Sequence, residues 1–430
     1  MKAKFAPYIN LVRNNHNYRR LWLSQVVSNF GDWFGLLAIY ALIQKYSNSE
    51  LLLGLIIVVK MLSLAGFSPI AGYITDRFNR RRVMIWCDIL RAVIVLGFLF
   101  VSSAGLLWLA YVLTALQMMH SAVFEPAKTS SIPNVTNSDE LVNANILSAA
   151  SWSIIFTSGM ALGGFATALL GTDLVFIINS ITYLVSGWFI TRAHIPQTMM
   201  NEAQMLATRN PLKGISEGFS FLFEHKHILR VVMVKGASSM CTGALVYMLI
   251  LVAEDILLMG SIGLGMLYAA RGIGTGIGPV LGRRLFKSEQ TWLKAIGFAM
   301  IFCGLTYAIV GVSESILIMV LFVMLAHMAS GSNWVMSTVL LQRRAPDTYR
   351  GRMFSTEWLL FTLTQSVSVI IASLLLEFKI LTIREAIFAF SMLLVVIGVS
   401  WLIKVWPGEN KYQNAKNGIE PVPIPRFPKV

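Results

Sequence analysis

Charge is what this sequence has least of: Asp, Glu, Lys and Arg make up 13% of its 430 residues, against roughly 25% in a soluble domain. With 56% apolar residues, that shortage excludes an ordinary soluble chain and leaves an integral membrane protein. Cysteine is scarcer still. Cys87, Cys241 and Cys303 lie in or beside apolar runs at no metal-ligand spacing, so they read as small hydrophobes. Neither a disulfide framework nor a metal site is expected. The chain also lacks a GxxxxGK[ST] loop, a Gly-x-Ser-x-Gly elbow and an HExxH pair, which argues against ATP hydrolysis and against an intramembrane enzyme. No cofactor is expected. The polar first twenty residues have no apolar core with a small-residue cleavage site, so no removed signal peptide is expected either.

What the sequence does have is twelve apolar windows of membrane length: 22–46, 51–75, 83–103, 105–125, 142–170, 171–192, 229–253, 262–286, 290–312, 314–340, 352–377 and 382–406. They are long and continuously apolar rather than short and alternating, which predicts helices and not a barrel. Gly171, Thr172 and Asp173 mark the split between the fifth and sixth. With both ends placed in the cytoplasm, 28 of the 35 Lys and Arg residues fall on the cytoplasmic side. Only Lys45, Lys379 and Arg384 fall on the other. The formal net charge of +14 is thereby explained by topology and contact with anionic membrane lipids, and no nucleic-acid partner is expected.

Between the second and third windows stands Gly72-x-x-x-Asp76-Arg77-x-Asn79-Arg80-Arg81. This resembles the signature loop of the major facilitator superfamily, with Asn79 where the family has a glycine. Asn is the non-glycine residue that best tolerates a left-handed backbone, so a tight turn is compatible with it. A shift of 210 residues lays Pro69-x-x-Gly72 on Pro279-x-x-Gly282, and a polar linker at 193–228 separates the two sets of six windows. The expected organisation is therefore a first six-helix bundle at 1–192, the linker, a second bundle at 229–406 and a disordered cytoplasmic tail at 407–430. Further stretches look like the bacterial branch that contains the enterobactin exporter and macrolide efflux proteins. They are Asn17-Tyr18-Arg19-Arg20-Leu21-Trp22, Phe30-Gly31-Asp32-Trp33, Asp88-Ile89-Leu90-Arg91-Ala92, Phe124-Glu125-Pro126-Ala127, Asn143-Ala144-Asn145 and Pro346-Asp347-x-x-Arg350-Gly351-Arg352. Gly159-Met160-Ala161-Leu162-Gly163-Gly164 is similar to the family's antiporter motif with Met160 in place of proline, and its glycines would allow close helix packing.

The resemblance implies an all-α membrane protein of two pseudo-symmetric six-helix bundles, working as a monomer in the bacterial plasma membrane. It also implies a secondary transporter, here read as a proton-coupled exporter of a small organic molecule: a siderophore-like or amphipathic anion, or a drug. A non-transporting receptor or assembly partner of the same fold, and an importer or uniporter, stay open as alternatives. A group that is ionised at membrane depth costs roughly 2.5–3.5 kcal/mol, so each one needs a reason. Asp32, midway along the first helix, is the candidate for proton coupling, with Lys60 or Arg271 as a nearby cation. Lys60 and Arg271 would attract an anionic substrate, with Trp33, Asn333 and Trp334 beside them. Arg91, Lys235 and Glu357 lie nearer the helix ends, and His120 and His327 are weaker proton-relay candidates. By the resemblance, Gly72, Asp76, Arg77, Arg80 and Arg81 form a conformational gate with Arg350, Arg352 and Glu357.

Overall fold

The computed structural model describes residues 2–47, 50–197 and 211–416, and its described residues contain helices and no strand. The chain begins with α1 (Lys2–Asn14), α2 (His16–Tyr46), α3 (Glu50–Arg77), α4 (Arg80–Leu96), α5 (Leu107–Val135) and α6 (Ser138–Arg192). After the linker come α7 (Pro211–Glu224), α8 (Lys226–Leu251), α9 (Gly260–Leu285), α10 (Trp292–Val312), α11 (Ile316–Arg344), α12 (Arg350–Glu377), α13 (Ile383–Ser400) and α14 (Trp406–Lys416). In hydrocarbon every backbone N–H and C=O must find its partner within the segment, and a helix achieves that. Ten of these helices are long and apolar enough to cross a bilayer. Residues 138–170 of α6 together with α9 supply the other two sequence windows.

Local chemistry sets the helix starts. Asn15 and Asn79 cap α2 and α4 by accepting the Tyr18 and Arg82 N–H groups. Asn137 with Glu140, and Thr382 with Glu385, form capping boxes on α6 and α13. Gly171 interrupts α6 with φ of 78°, the left-handed region, at the break expected from Gly171-Thr172-Asp173.

The described helices fall into two compact units, Met1–Ile215 with Ala345–Leu359, and Ser216–Arg344 with Leu360–Val430. In the first, α2 and α4 pack on α6 and α3 packs on α5, around a core that includes Phe34, Ile43, Val95, Phe98, Phe176 and Tyr183. In the second, α9 packs on α11 and α10 on α13. The pairing of α3 with α5 recurs as α9 with α11, the expression in three dimensions of the repeat. Glycine lets the latter pair approach closely: a Cβ at Gly278 would lie 2.0 Å from the Met328 carbonyl oxygen. Leu62, Val93, Phe100, Phe165, Leu317 and Ile370 stay exposed on the spanning helices, as lipid-facing residues should.

Two expected boundaries change. The segment Ala345–Leu359, placed by the sequence in the second half, belongs to the first unit. Residues 407–416, expected to begin a disordered tail, continue as α14 to Lys416. Glu409 there is 1% exposed and accepts both Arg344 Nη1 at 3.1 Å and Nη2 at 2.5 Å. This buried bidentate pair holds the helix down. Sequence reasoning missed it because α14 is polar on average and its partner lies on α11. Positions 417–430, and 198–210 of the linker, lie outside the described residues.

Candidate functional site

Asp32 stands on α2, half-buried. Its carboxylate accepts the Tyr183 hydroxyl of α6 and Gln117 Nε2 of α5 at 3.4 Å, and it lies 3.9 Å from Arg91 Nη1 of α4. Arg91 is 2% exposed and donates to Asp88 Oδ1 at 2.5 Å. Asp88 in turn accepts the Ser186 hydroxyl at 2.7 Å. The guanidinium is sandwiched by ring faces, 4.3 Å from the Phe124 centroid and 4.5 Å from that of Tyr183. A lone buried guanidinium would be prohibitively costly. Two carboxylates and two π faces offset its desolvation. The chemical consequence is a shared cation: two carboxylates divide one guanidinium, and a proton on either restores neutrality.

This differs from the sequence expectation, which named Lys60 or Arg271 as the cation beside Asp32. Lys60 on α3 is an electrostatic neighbour of Asp32, but no carboxylate lies within 4 Å of it among the described residues. Arg271 falls in the second unit, 5.5 Å from the Tyr268 ring centroid. The paired cation is Arg91, placed by the sequence nearer a helix end. Asp88, Gln117, Tyr183 and Ser186 were not anticipated. The i,i+3 spacing of Asp88 and Arg91 was the available signal, because it sets both groups on one helix face. Trp33 packs edge-on against the stacked rings of Trp152 and Phe156, at 6.1 and 4.7 Å. The stack is joined where α6 crosses α2, and there a Cβ at Gly163 would lie 2.6 Å from the Phe34 carbonyl oxygen. Gly159 and Gly164 face Trp33 and Leu37 at the same crossing.

A second polar centre forms where α3 ends and α12 begins, within the first unit. Asp76 is 1% exposed and accepts the N–H groups of Gly351 at 2.7 Å and Arg352 at 3.0 Å. It is thus a carboxylate on the positive end of a helix. Arg80 is fully buried, 3.4 Å from Asp76 Oδ1, and donates to Asp347 Oδ1 at 2.5 Å and to the Asp347 carbonyl at 2.6 Å. Arg350 reaches Asp347, Ser130 and Asn134 at 2.9 to 3.2 Å. Glycine is required twice: a Cβ at Gly72 would meet Arg352 Cα at 2.8 Å, and one at Gly351 would meet Asp76 Oδ1 at 2.6 Å.

The structure brings Gly72, Asp76, Arg80, Arg350 and Arg352 together, with Glu357 fully buried farther along α12. It does not bring in Arg77, which donates to the Tyr73 hydroxyl at 2.7 Å, nor Arg81, which binds the Ile190 and Thr191 carbonyls at the end of α6. Arg81 there complements a helix C-terminus. Asp347 was missed as a gate member although it is the carboxylate that both Arg80 and Arg350 share.

In the second unit His327 bonds the Tyr307 hydroxyl at 2.8 Å, the structural role expected of an isolated histidine in a helix. Asn333 and Trp334 lie together on α11, with Lys235 of α8 4.0 Å from the Trp334 ring centroid. His120 lies instead on a largely apolar cavity of about 890 Å³ in the first unit, lined also by Phe67, Trp86, Leu90, Met119, Arg77 and Arg82.

Comparison with known proteins places this geometry. A sequence model of the Major Facilitator Superfamily matches residues 21–373. The uncharacterized MFS-type transporter YfiS of Bacillus subtilis (strain 168) is 28% identical over 418 residues, covering 91% of this chain and 94% of its own. BacE of the same strain, provisionally named a bacilysin exporter, is 25% identical over 345 residues, covering 79% and 83%. The crystal structure of the human organic anion transporter MFSD10 shares the fold at a TM-score of 0.69 with 13% identity, over 90% of this chain and 99% of that one. The helices, the multi-pass span pattern and the length of the match agree: the chain belongs to the Major Facilitator Superfamily, and is a transporter rather than an enzyme.

Proposed function

We propose that this protein is a proton-coupled exporter of a small organic molecule, acting by alternating access as a monomer in the bacterial plasma membrane with both termini cytoplasmic. The observation that carries this reading is Asp32, a carboxylate at membrane depth that shares Arg91 with Asp88 and has Lys60 as an electrostatic neighbour. A proton arriving on Asp32 removes the anion opposite Lys60, and Arg91 keeps Asp88 as its partner. Lys60 is then left to an anionic group of the cargo. Protonation of Asp32 and binding of cargo at Lys60 are thereby linked, which makes flux depend on the proton gradient. Outward direction is supported by the exporter name carried by BacE.

The Asp76 centre acts as the conformational gate in this scheme. Its hydrogen bonds to the start of α12 hold one arrangement, and transport proceeds by making and breaking them. The decisive test is flux in proteoliposomes under an imposed pH gradient, screening siderophores, amphipathic anions and macrolides. The expected outcome is gradient-driven flux of at least one class that Asp32→Asn abolishes. Flux indifferent to both the gradient and Asp32 would overturn proton coupling. Gln at Lys60 and Arg271 together should remove transport of an anionic cargo, and unchanged kinetics would reject their role.

A further inference from the structure

The second unit holds a small polar recess, about 40 Å³, between α8, α11 and the portion of α12 after Leu360. Lys235 and Ser238 of α8, Asn333 and Trp334 of α11, and Phe361 of α12 line it. Lys235 is 7% exposed, donates from Nζ to Thr338 Oγ1 at 2.9 Å, and stands on the Trp334 face. Phe361 braces that indole edge-on at 5.3 Å. The cation and the ring are therefore held in place before anything binds.

Two polar atoms in the same recess are left over. Asn333 is 5% exposed and its Oδ1 has no hydrogen-bond partner among the described residues, and neither does the buried Ser238 Oγ. Buried polar atoms are nearly always paired, since leaving one unmade forfeits its hydration without return. Two such atoms beside one ammonium leave hydrogen-bonding capacity that a small polar ligand can meet. Its size limits that ligand: at about 40 Å³ the recess admits a small polar head group of a few heavy atoms and not a ring. Its chemistry limits the ligand further. The ammonium and the Ser238 hydroxyl both donate to an anion, and Asn333 Oδ1 only accepts, so the head group must itself carry an N–H or O–H.

We propose that this recess is a head-group subsite for a carboxylate that bears a hydroxyl or amine on the adjoining carbon. The subsite rests on the transport reading, for which it names the chemical end of the cargo. The probes are four compounds with one body and different heads: phenyllactate, phenylalanine, 3-phenylpropionate and phenethylamine. Binding of radiolabelled phenyllactate to the full-length protein in detergent is measured by equilibrium dialysis, with the others as competitors. Phenyllactate and phenylalanine should compete, with their ratio reporting which donor Asn333 prefers. 3-Phenylpropionate should bind about tenfold more weakly, and phenethylamine should not compete.

Lys235→Met should abolish binding and Lys235→Arg should retain it, both checked for folding by gel filtration. Asn333→Leu should reduce phenyllactate to the level of 3-phenylpropionate. Absence of saturable phenyllactate binding, equal binding of phenyllactate and 3-phenylpropionate, or binding untouched by Lys235→Met would each overturn the proposal. The assay involves no gradient and no flux, so a failure of proton coupling at Asp32 would leave the binding result unchanged.

Discussion

Asp76 shows how much one side chain can decide. It accepts two backbone N–H groups of α12 while lying beside two guanidinium groups, Arg80 and Arg352. Asp76→Asn keeps the shape but replaces a charged acceptor by a neutral amide with a single acceptor oxygen. A hydrogen bond to a charged group is worth about 1.5–3 kcal/mol, so the balance between transport states should shift by roughly tenfold to a hundredfold. Transport rates in proteoliposomes should fall accordingly, while Arg77→Gln should have little effect because Arg77 faces Tyr73. Equal losses in both variants would remove the distinction. The motif spacing made Asp76 and Gly72 legible from the sequence. It left the arginines indistinguishable, because four cations in six positions look alike until the backbone directs them.

Helices bring a different kind of constraint. Gly171 sits at φ of 78° and ψ of 169°, a backbone region essentially reserved for glycine and costing other residues roughly 1–3 kcal/mol, although nothing lies within 4 Å to clash with a Cβ there. Gly171→Ala should therefore lower thermal stability in detergent by a few degrees without altering transport. Gly278→Leu is the opposite case: helical geometry tolerates the residue, but the Met328 carbonyl occupies its space. The α9–α11 pair would have to separate, and the expected result is loss of most monodisperse protein on gel filtration. At α14, Glu409→Gln removes the charge that Arg344 and Arg230 share. Limited proteolysis should then cut the C-terminal helix sooner than in the parent protein.

The complete molecule carries its orientation in its loops. Cys87, Cys241 and Cys303 are buried, so the parent protein should resist an impermeant maleimide. That silence makes single introduced cysteines readable. Lys379→Cys should label in intact cells, and Lys287→Cys only after permeabilisation. The reverse pattern would invert the topology.

The all-helical membrane architecture, the break at Gly171 and the Gly72–Asp76 loop were all legible in the residues, because hydropathy, glycine backbone freedom and loop charge act locally along the chain. Asp32 was legible too, since an aspartate in an apolar window stands out whatever surrounds it. Its partners were not. Arg91, Tyr183 and Gln117 come from three other helices, and a charge at membrane depth takes whichever partner packing brings within a few ångströms. The same reason separates Arg80 from Arg77 and Arg81, joins Asp347 to both Arg80 and Arg350, and turns part of an expected tail into a helix held by Glu409. Pairing across helices depends on how they rotate and cross, and that is settled by side-chain packing between segments far apart in the chain.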